Sequence, residues 1–478
     1  MTDLAWLSVA EGSQLLRAKK LSPVEWTKAL LDRIAAVDPA YNAYLTVTAD
    51  RALAQAKAAE GEIAAGKWRG PMHGVPYAAK DIFDIEGMAT TCHSKIRMNH
   101  RAAADSFVVR KLHDAGAILL GKLALHEFAT GGPAFDLPWP PARNPWNREL
   151  HPGGSSSGSG AALAAGLAPA ALGTDTGGSV RNPATCCGIV GLKPTYGAIS
   201  LSGVQPLTHS LDHVGPMTRG VEDNAIFLHA MAGYDPADIT MAQRPLADCL
   251  KDMKAGLKGV KIGVIEHFYT KDAPADPEMV RGIENAIEVL KKLGAEVRPI
   301  TVSPLPLWTD CNRTIHSSEA YAIHERDLQE RPEDFAMLTR NRMFPGAFVS
   351  AAKYIKAQQL RAALCKEMAE ATHRIDAVIT LSSLLLPCKI DDTAAVLKTY
   401  DQQCRLVFNV TGAPCISVPT GLSKSGVPLA MQIAAHAFDE PMVYRVAHAY
   451  CEAAGTVITG DPKTQPKLVT APRTAAAE

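Results

Sequence analysis

Two glycine-serine clusters sit a short distance apart in this chain, and both are framed by apolar sequence. The first is Gly153-Gly154-Ser155-Ser156-Ser157-Gly158-Ser159-Gly160; the second is Gly173-Thr174-Asp175-Thr176-Gly177-Gly178-Ser179-Val180-Arg181. Ala161 to Leu172 runs between them, small and apolar, and Cys187-Gly188-Ile189-Val190-Gly191-Leu192-Lys193-Pro194-Thr195 follows. Glycine this dense beside hydroxyls brings backbone N–H groups close to a ligand, which describes an anion or oxyanion site. A solvated linker of the same composition would not be enclosed by buried elements on both sides.

Three other readings fail on residue chemistry. A phosphate loop of the Walker type needs a lysine at its end, and no lysine lies between Gly153 and Gly191. A dinucleotide fingerprint needs a third glycine, but Gly158-Ser159-Gly160 runs into Ala161-Ala162-Leu163. Gly154-Ser155-Ser156-Ser157-Gly158 formally fits a nucleophile elbow, which requires a hydrophobic strand before it. Polar, proline-broken Asn147 to Pro152 stands there instead.

Composition narrows the class. The 478 residues are 47% hydrophobic and 21% charged, enough for a large core. Lys+Arg and Asp+Glu are both 49, so bulk charge gives no argument for nucleic acid or an acidic membrane. The ten cysteines show no Cys-x-x-Cys pair, so neither a zinc site nor a redox motif is indicated, and a cytoplasmic protein with reduced thiols is expected. Met1 to Trp6 lacks a basic region followed by an apolar run, so no secretory signal is expected, and no stretch reaches the length of an apolar membrane helix.

Periodicity predicts helices over the first 65 residues, with Ser22-Pro23-Val24-Glu25 as a capping box and a helical Ala52 to Ala65. Buried strands are predicted at Val75 to Ala79, Ala117 to Leu120 and Ala168 to Leu172, with a helix over Asp105 to Asp114. A strand–helix–strand follows at Val260 to Ile265, Pro277 to Leu293 and Ala295 to Val302, then strands at Asp376 to Leu381 and Cys415 to Val418. The pattern implies an α/β layered protein. The expected division is a helical segment over 1–65, a core domain over 66–460 with a helical cover at about 303–364, and a frayed tail over 461–478.

Gly153 through Thr195 resembles the glycine/serine-rich signature of the amidase signature family of hydrolases. Other stretches resemble the family too. Gly74-Val75-Pro76-Tyr77-Ala78-Ala79-Lys80-Asp81 matches its lysine motif, and Gly121 to Phe128, Asn144-Pro145-Trp146, Leu211 to Arg219, Gly412 to Pro419 and Gly426 to Ile433 match further motifs. The resemblance implies a three-layer α/β/α sandwich around a large mixed sheet. It also implies a Ser–cisSer–Lys triad on Ser179, Ser155 and Lys80, the two serines 24 residues apart as in the family.

The chemistry of these residues suits that role. A serine hydroxyl attacks an amide only if a base takes its proton, and no histidine lies in either cluster. Lys80 can serve if burial favours its neutral form, and Val75 to Ala79 with Ile82 and Phe83 surround it with apolar mass. Asp81 and Asp84 would oppose this if close, so Asp81 is expected to point away and bond backbone groups. Ser155 would relay the proton. The N–H groups of Thr176, Gly177, Gly178 and Ser179 are the expected oxyanion hole. Asp175 and Arg181 are expected to form a structural ion pair. Ser156, Ser157 and Ser159 are expected to support the loop.

The expected pocket walls are Thr130-Gly131-Gly132-Pro133-Ala134-Phe135, Val204 to Leu207 and the region 303–364, with Thr130, Gly131, Gly132 and Leu207 as substrate contacts. Phe135, Leu207, Trp308, Phe344 and Phe348, mixed with Arg340 and Arg342, favour a small, neutral, partly apolar carboxamide, or a related carbamate, hydrazide or urea. The expected activity is therefore an amidohydrolase working through an acyl-enzyme. It should need no cofactor and no metal. Its expected partners are a small-molecule amide and water, with a homodimer as a candidate assembly and neither nucleic acid nor membrane. Two rivals stand beside it. The amidase subunit of a glutamine-dependent tRNA amidotransferase ranks second, because no acidic-plus-arginine pair to clamp glutamine is visible. A non-catalytic binding protein ranks third, because all three triad positions are intact.

Overall fold

The computed structural model describes residues 3–458, 461 and 463–470. Among the described residues eleven strands form one mixed sheet: β1 (Tyr44–Val47), β2 (Pro76–Lys80), β3 (Ile118–Leu123), β4 (Ala170–Thr174), β5 (Val190–Lys193), β6 (Val214–Thr218), β7 (Lys261–Val264), β8 (Glu296–Pro299), β9 (Ala377–Leu381), β10 (Cys415–Leu422) and β11 (Pro428–Ala435). Their spatial order is β1-β3-β2-β4-β6-β5-β10-β11-β9-β7-β8. β2 runs parallel to β3 and β4, and β7 parallel to β8 and β9; the remaining pairs are antiparallel.

Every residue of β2 to β6, β9 and β11 is buried, with no alternation between faces. Strands buried on both sides must be covered by helices on both, which is the three-layer arrangement expected from the sequence. The two edges are treated differently from the centre. β1 and β8 are largely exposed, and β8 carries Glu296, Arg298 and Pro299, which discourage further strand pairing.

The strands read from sequence recur with ends shifted by a few residues. Four others, β1, β5, β6 and β11, were not anticipated. β5 and β6 contain Gly191, Gly215 and Pro216, residues depleted in strands, and pair because their neighbours β4 and β10 supply the ladder. The N-terminal segment is not wholly helical, since Tyr44–Val47 extends the sheet edge against β3.

The Ser22 cap is half of the expected box. Ser22 Oγ accepts from the Val24 and Glu25 N–H groups, but its own hydroxyl goes to Glu60. The reciprocal box is at Ser8 and Glu11, at the start of the Val9–Arg17 helix. Long helices at Leu305–Glu330 and Ala351–Thr372, with Met337–Met343 between them, occupy the region expected to be helical. In the C-terminal stretch, the Val469 N–H donates to Tyr41 Oη at 2.8 Å, while 462 and 471–478 lie outside the described residues. Among the described residues no helix is long and apolar enough to cross a membrane.

Candidate active site

Parallel pairing of β2 with β4 brings their C-terminal residues, Lys80 and Thr174, to the same end of the sheet. That is where ligands bind in open α/β sheets. Lys80 is fully buried, and its Nζ donates to Ser155 Oγ at 2.8 Å and to Thr174 Oγ1 at 2.7 Å. Burial pulls its ammonium down to about 7, although the more distant Asp175 and Asp212 favour the charged form. Thr174 was not singled out in the sequence, because nothing local distinguishes a strand threonine that meets a lysine 94 residues away.

Asp81 faces away from Lys80, though not toward the backbone alone. Its carboxylate meets Lys122 Nζ at 2.8 Å and accepts from the Thr91 N–H at 3.0 Å and the Thr91 hydroxyl. Both members of the ion pair are buried. Lys122 was missed in the sequence, where it reads as one more charge in a motif.

Ser155 follows a cis Gly154–Ser155 peptide, just before the helix Ser157–Ala164. Gly154 is required there: a Cβ would stand 2.0 Å from His126 Cε1. The neighbouring serines tie this segment to β4, as Ser156 Oγ accepts from the Thr174 N–H at 3.3 Å and Ser159 Oγ donates to Leu172 O at 2.9 Å.

Ser179 lies at the end of the second cluster, before the short helix Arg181–Cys187, and is half-buried. It shares one pocket with Ser155, Thr176 and Gly177. Among the described residues no hydrogen bond joins its hydroxyl to a histidine or to Ser155 Oγ. Contacts of this kind often close only with substrate bound.

A buried carboxylate shapes the loop between them. Asp175 Oδ1 accepts from Arg181 Nη2 at 2.9 Å, Asn409 Nδ2 at 2.8 Å and the Gly178 N–H at 2.9 Å; Oδ2 accepts from Arg181 Nε and the Val180 N–H, both at 3.1 Å. Burial alone would raise the carboxyl, but Arg181 and Asn409 outweigh it and hold Asp175 well below the usual range. The Gly178 N–H is thereby committed and is withdrawn from the expected oxyanion donors. Gly178 has φ +113°, and a Cβ there would lie 2.5 Å from Arg405 Nε. The N–H groups of Thr176, Gly177 and Ser179 have no acceptor among the described residues. Asp212 holds the other end of this loop, accepting from Thr176 Oγ1 at 2.6 Å and from the Leu207 and Thr208 N–H groups.

The pocket has a cavity volume of about 80 Å³ and opens to solvent. Thr130, Gly131 and Leu207 line it as expected; Gly132 does not, since a Cβ there would meet Leu338 instead. The aromatic walls expected from the sequence are elsewhere: Trp308 is in the core, Phe348 is 86% exposed, and Phe135 lies under Arg143 at the surface. Arg340 turns to Pro332 O. Arg342, Arg405, Arg313, His316, Tyr400 and Asn312 face the cavity. Asn312, Arg313 and His316 lie on the Leu305–Glu330 helix, within the region expected to form a wall but not singled out there, while Tyr400 and Arg405 come from a later part of the chain that went unassigned. Glu127 fixes one wall, its carboxylate accepting from Ser94 Oγ at 2.6 Å and from the Ala336 N–H at 2.8 Å. That bond ties the wall to the helix bearing Arg342. Among the described residues no group of three or more His, Cys, Asp or Glu is placed to hold a metal.

Comparison with known proteins sets this geometry in context. The family model described as Amidase matches residues 25–444. A glutamyl-tRNA(Gln) amidotransferase subunit from Geobacter metallireducens is 39% identical, over 94% of this chain and 98% of its own. The same-named subunit of Thermotoga maritima, in a solved structure, superposes with a TM-score of 0.81 at 32% identity, covering 98% of each chain. A structure described as a vestigial protein complex revealing the origins of an s-triazine catabolic enzyme gives 0.88 at 31% identity, covering 95% of this chain and 100% of that one. The amidotransferase relatives overturn the expectation of a stand-alone amidohydrolase for a neutral, partly apolar amide. They overturn with it the restriction of partners to a small molecule and water without nucleic acid. The cationic pocket lining gives the physical side of that correction.

Proposed function

We propose that this chain, which belongs to the amidase family of hydrolases acting on C–N bonds, is the amide-cleaving subunit of a glutamine-dependent amidotransferase assembly of the glutamyl-tRNA(Gln) type. The observation that carries this reading is full-length similarity to glutamyl-tRNA(Gln) amidotransferase subunits, joined to a pocket with three arginines beside an open serine. Protein partners and a tRNA-borne acceptor follow from the same similarity.

The reaction uses the groups in the order of their contacts. Ser179 Oγ attacks the amide carbonyl carbon while its proton passes to Ser155 Oγ, whose own proton moves to neutral Lys80 Nζ. The carbonyl oxygen, now negative, is held by the free N–H groups of the Thr176–Ser179 loop; such donors are each worth about 2.7–4 kcal/mol in the transition state. The C–N bond breaks as the proton returns through Ser155 to the leaving nitrogen, and ammonia departs. Water then attacks the acyl-enzyme by the same relay, freeing Ser179 and a carboxylic acid. Arg342 is positioned to bind the donor's own carboxylate by charge-assisted hydrogen bonds.

The test is ammonia release from glutamine by the purified chain, alone and with its partner subunits, together with amide formation on glutamyl-tRNA. Absence of ammonia from glutamine in both settings rules the reading out.

A further inference from the structure

A carboxylate joins the helical cover to the loops beside Ser179. Glu319, on the Leu305–Glu330 helix, accepts from the Ser210 N–H at 2.9 Å through Oε2 and from the Ser210 hydroxyl at 2.7 Å through Oε1. Oε1 also accepts from the Tyr354 hydroxyl at 2.7 Å, and Tyr354 belongs to the second long helix, Ala351–Thr372. Tyr354 Oη is held in turn by Gln358 Nε2, at 2.9 Å. Hydrogen bonds to a charged oxygen are about twice as strong as neutral ones, and a two-point grip on one serine fixes its orientation as well as its distance.

Ser210 stands two residues before Asp212, in a turn closed by the Leu211 and Asp212 N–H groups on Thr208 O at 3.0 and 2.9 Å. Asp212 accepts from Thr176 Oγ1 at 2.6 Å, and the adjacent His213 O accepts the Asp175 N–H at 2.8 Å. Hydrogen bonds and one tight turn therefore run without a break from the cover to the loop that carries the free N–H groups. Asn312 and His316 line the pocket from the same helix, about two turns and one turn before Glu319. The grip that sets the loop thus also sets the distance of this helical wall.

We infer that Glu319 is a positioning residue for the reaction at Ser179. It holds Ser210 and, through the turn and Asp212, Thr176, so that the oxyanion donors and the helical wall keep one spacing. This rests on the reading that Ser179 is the nucleophile. Glu319 is not among the described residues lining the pocket. A reacting group misplaced by about 1 Å can still lose about 10²-fold in rate, so a residue that touches no substrate can govern turnover.

The experiment is the rate of fluorophosphonate labelling of Ser179 in the full-length chain, a readout independent of which amide is cleaved, measured beside the urea denaturation midpoint. Glu319→Ala should slow labelling by about 10- to 10²-fold. Glu319→Gln should recover part of that rate, because its amide oxygen still accepts the Ser210 N–H and its NH2 faces hydroxyls that can rotate to accept. Thr176→Val removes the hydroxyl that Asp212 holds. Combined with Glu319→Ala it should lose less than the product of the two single losses, since both act through one loop. Should Glu319→Ala fail to fold, Ser210→Ala takes its place in the same cycle. A lowered denaturation midpoint with an unchanged labelling rate, or single losses that multiply, overturns the proposal. An unmutated chain labelled elsewhere than Ser179, or not at all, overturns the nucleophile reading and this inference with it, a failure seen before any variant is made.

Discussion

Asp81 follows Lys80 in the chain, yet its carboxylate goes to Lys122 Nζ at 2.8 Å and leaves Lys80 to Ser155 and Thr174. Two buried lysines thus divide the work. Lys122 neutralises the nearby acid, and Lys80 is free to lose its proton.

Removing Lys122 should separate these roles. Lys122→Met strands a buried carboxylate, and breaking such a pair typically costs about 3–5 kcal/mol of stability. The unpaired Asp81 charge should also favour protonated Lys80. Chemical denaturation and a pH–rate profile check both effects. The acid limb should move to higher pH relative to the unmutated chain, and an unmoved limb would show that Lys122 does not insulate the base.

Lys80 governs the pH dependence of activity. With its ammonium pulled down to about 7, kcat/KM should rise as pH passes through that region and then level off. Lys80→Ala should lose about 10²–10⁴-fold in turnover, and Lys80→Arg nearly as much, because a guanidinium does not release its proton. His126, His151, His209 and His213, replaced singly, should each retain most activity. A histidine variant as inactive as Lys80→Ala would reject the lysine mechanism.

The same group affects stability, with a sign that can be worked out. Lys80 titrates near 7 when folded and near 10.5 when unfolded. Between those values the unfolded chain binds the extra proton, so stability falls as pH drops from above 10.5 to 7 and is level below. Relative to the native chain, Lys80→Met should therefore gain stability as pH falls through this window, by at most about 5 kcal/mol. Denaturation midpoints of the two proteins across pH 7 to 10 provide the comparison, and parallel curves would contradict the lowered value.

Asp175 should be required for loop shape more than for proton transfer. Asp175→Asn leaves Arg181 buried with its charge unbalanced, with an expected loss of about 3–5 kcal/mol. Where the variant still folds at low temperature, turnover should fall while the pH midpoint set by Lys80 stays nearly in place. A large shift in that midpoint would assign Asp175 a direct part in the proton relay.

Gly178→Ala tests the turn that presents Ser179. The residue has φ +113°, and its Cβ would collide with Arg405. Labelling of Ser179 by a fluorophosphonate should slow by at least about 10²-fold, the scale of losing an oxyanion donor. Label appearing on Ser156 or Cys186 in the unmutated chain would reassign the nucleophile.

Sequence alone determined the elements whose signal is local. Short apolar runs bounded by glycine marked the central strands, and the family resemblance of Gly153 to Thr195 and of the stretch around Lys80 pointed to Ser179, Ser155 and Lys80; Ser155 and Ser179 line one pocket, and Lys80 donates to Ser155. Strands such as β5 and β6 carried no such signal, because glycine and proline there are tolerated only once neighbouring strands supply hydrogen bonds. Tertiary structure decided what depends on direction. It gave Asp81 to Lys122 and committed the Gly178 N–H to Asp175. It also turned Trp308 into the core while bringing Arg342 and Arg405 to the cavity. A linear pattern states which side chains are available; which of them share a low-dielectric space, and so which charges are paired or left for a ligand, is set by helices packing from distant parts of the chain.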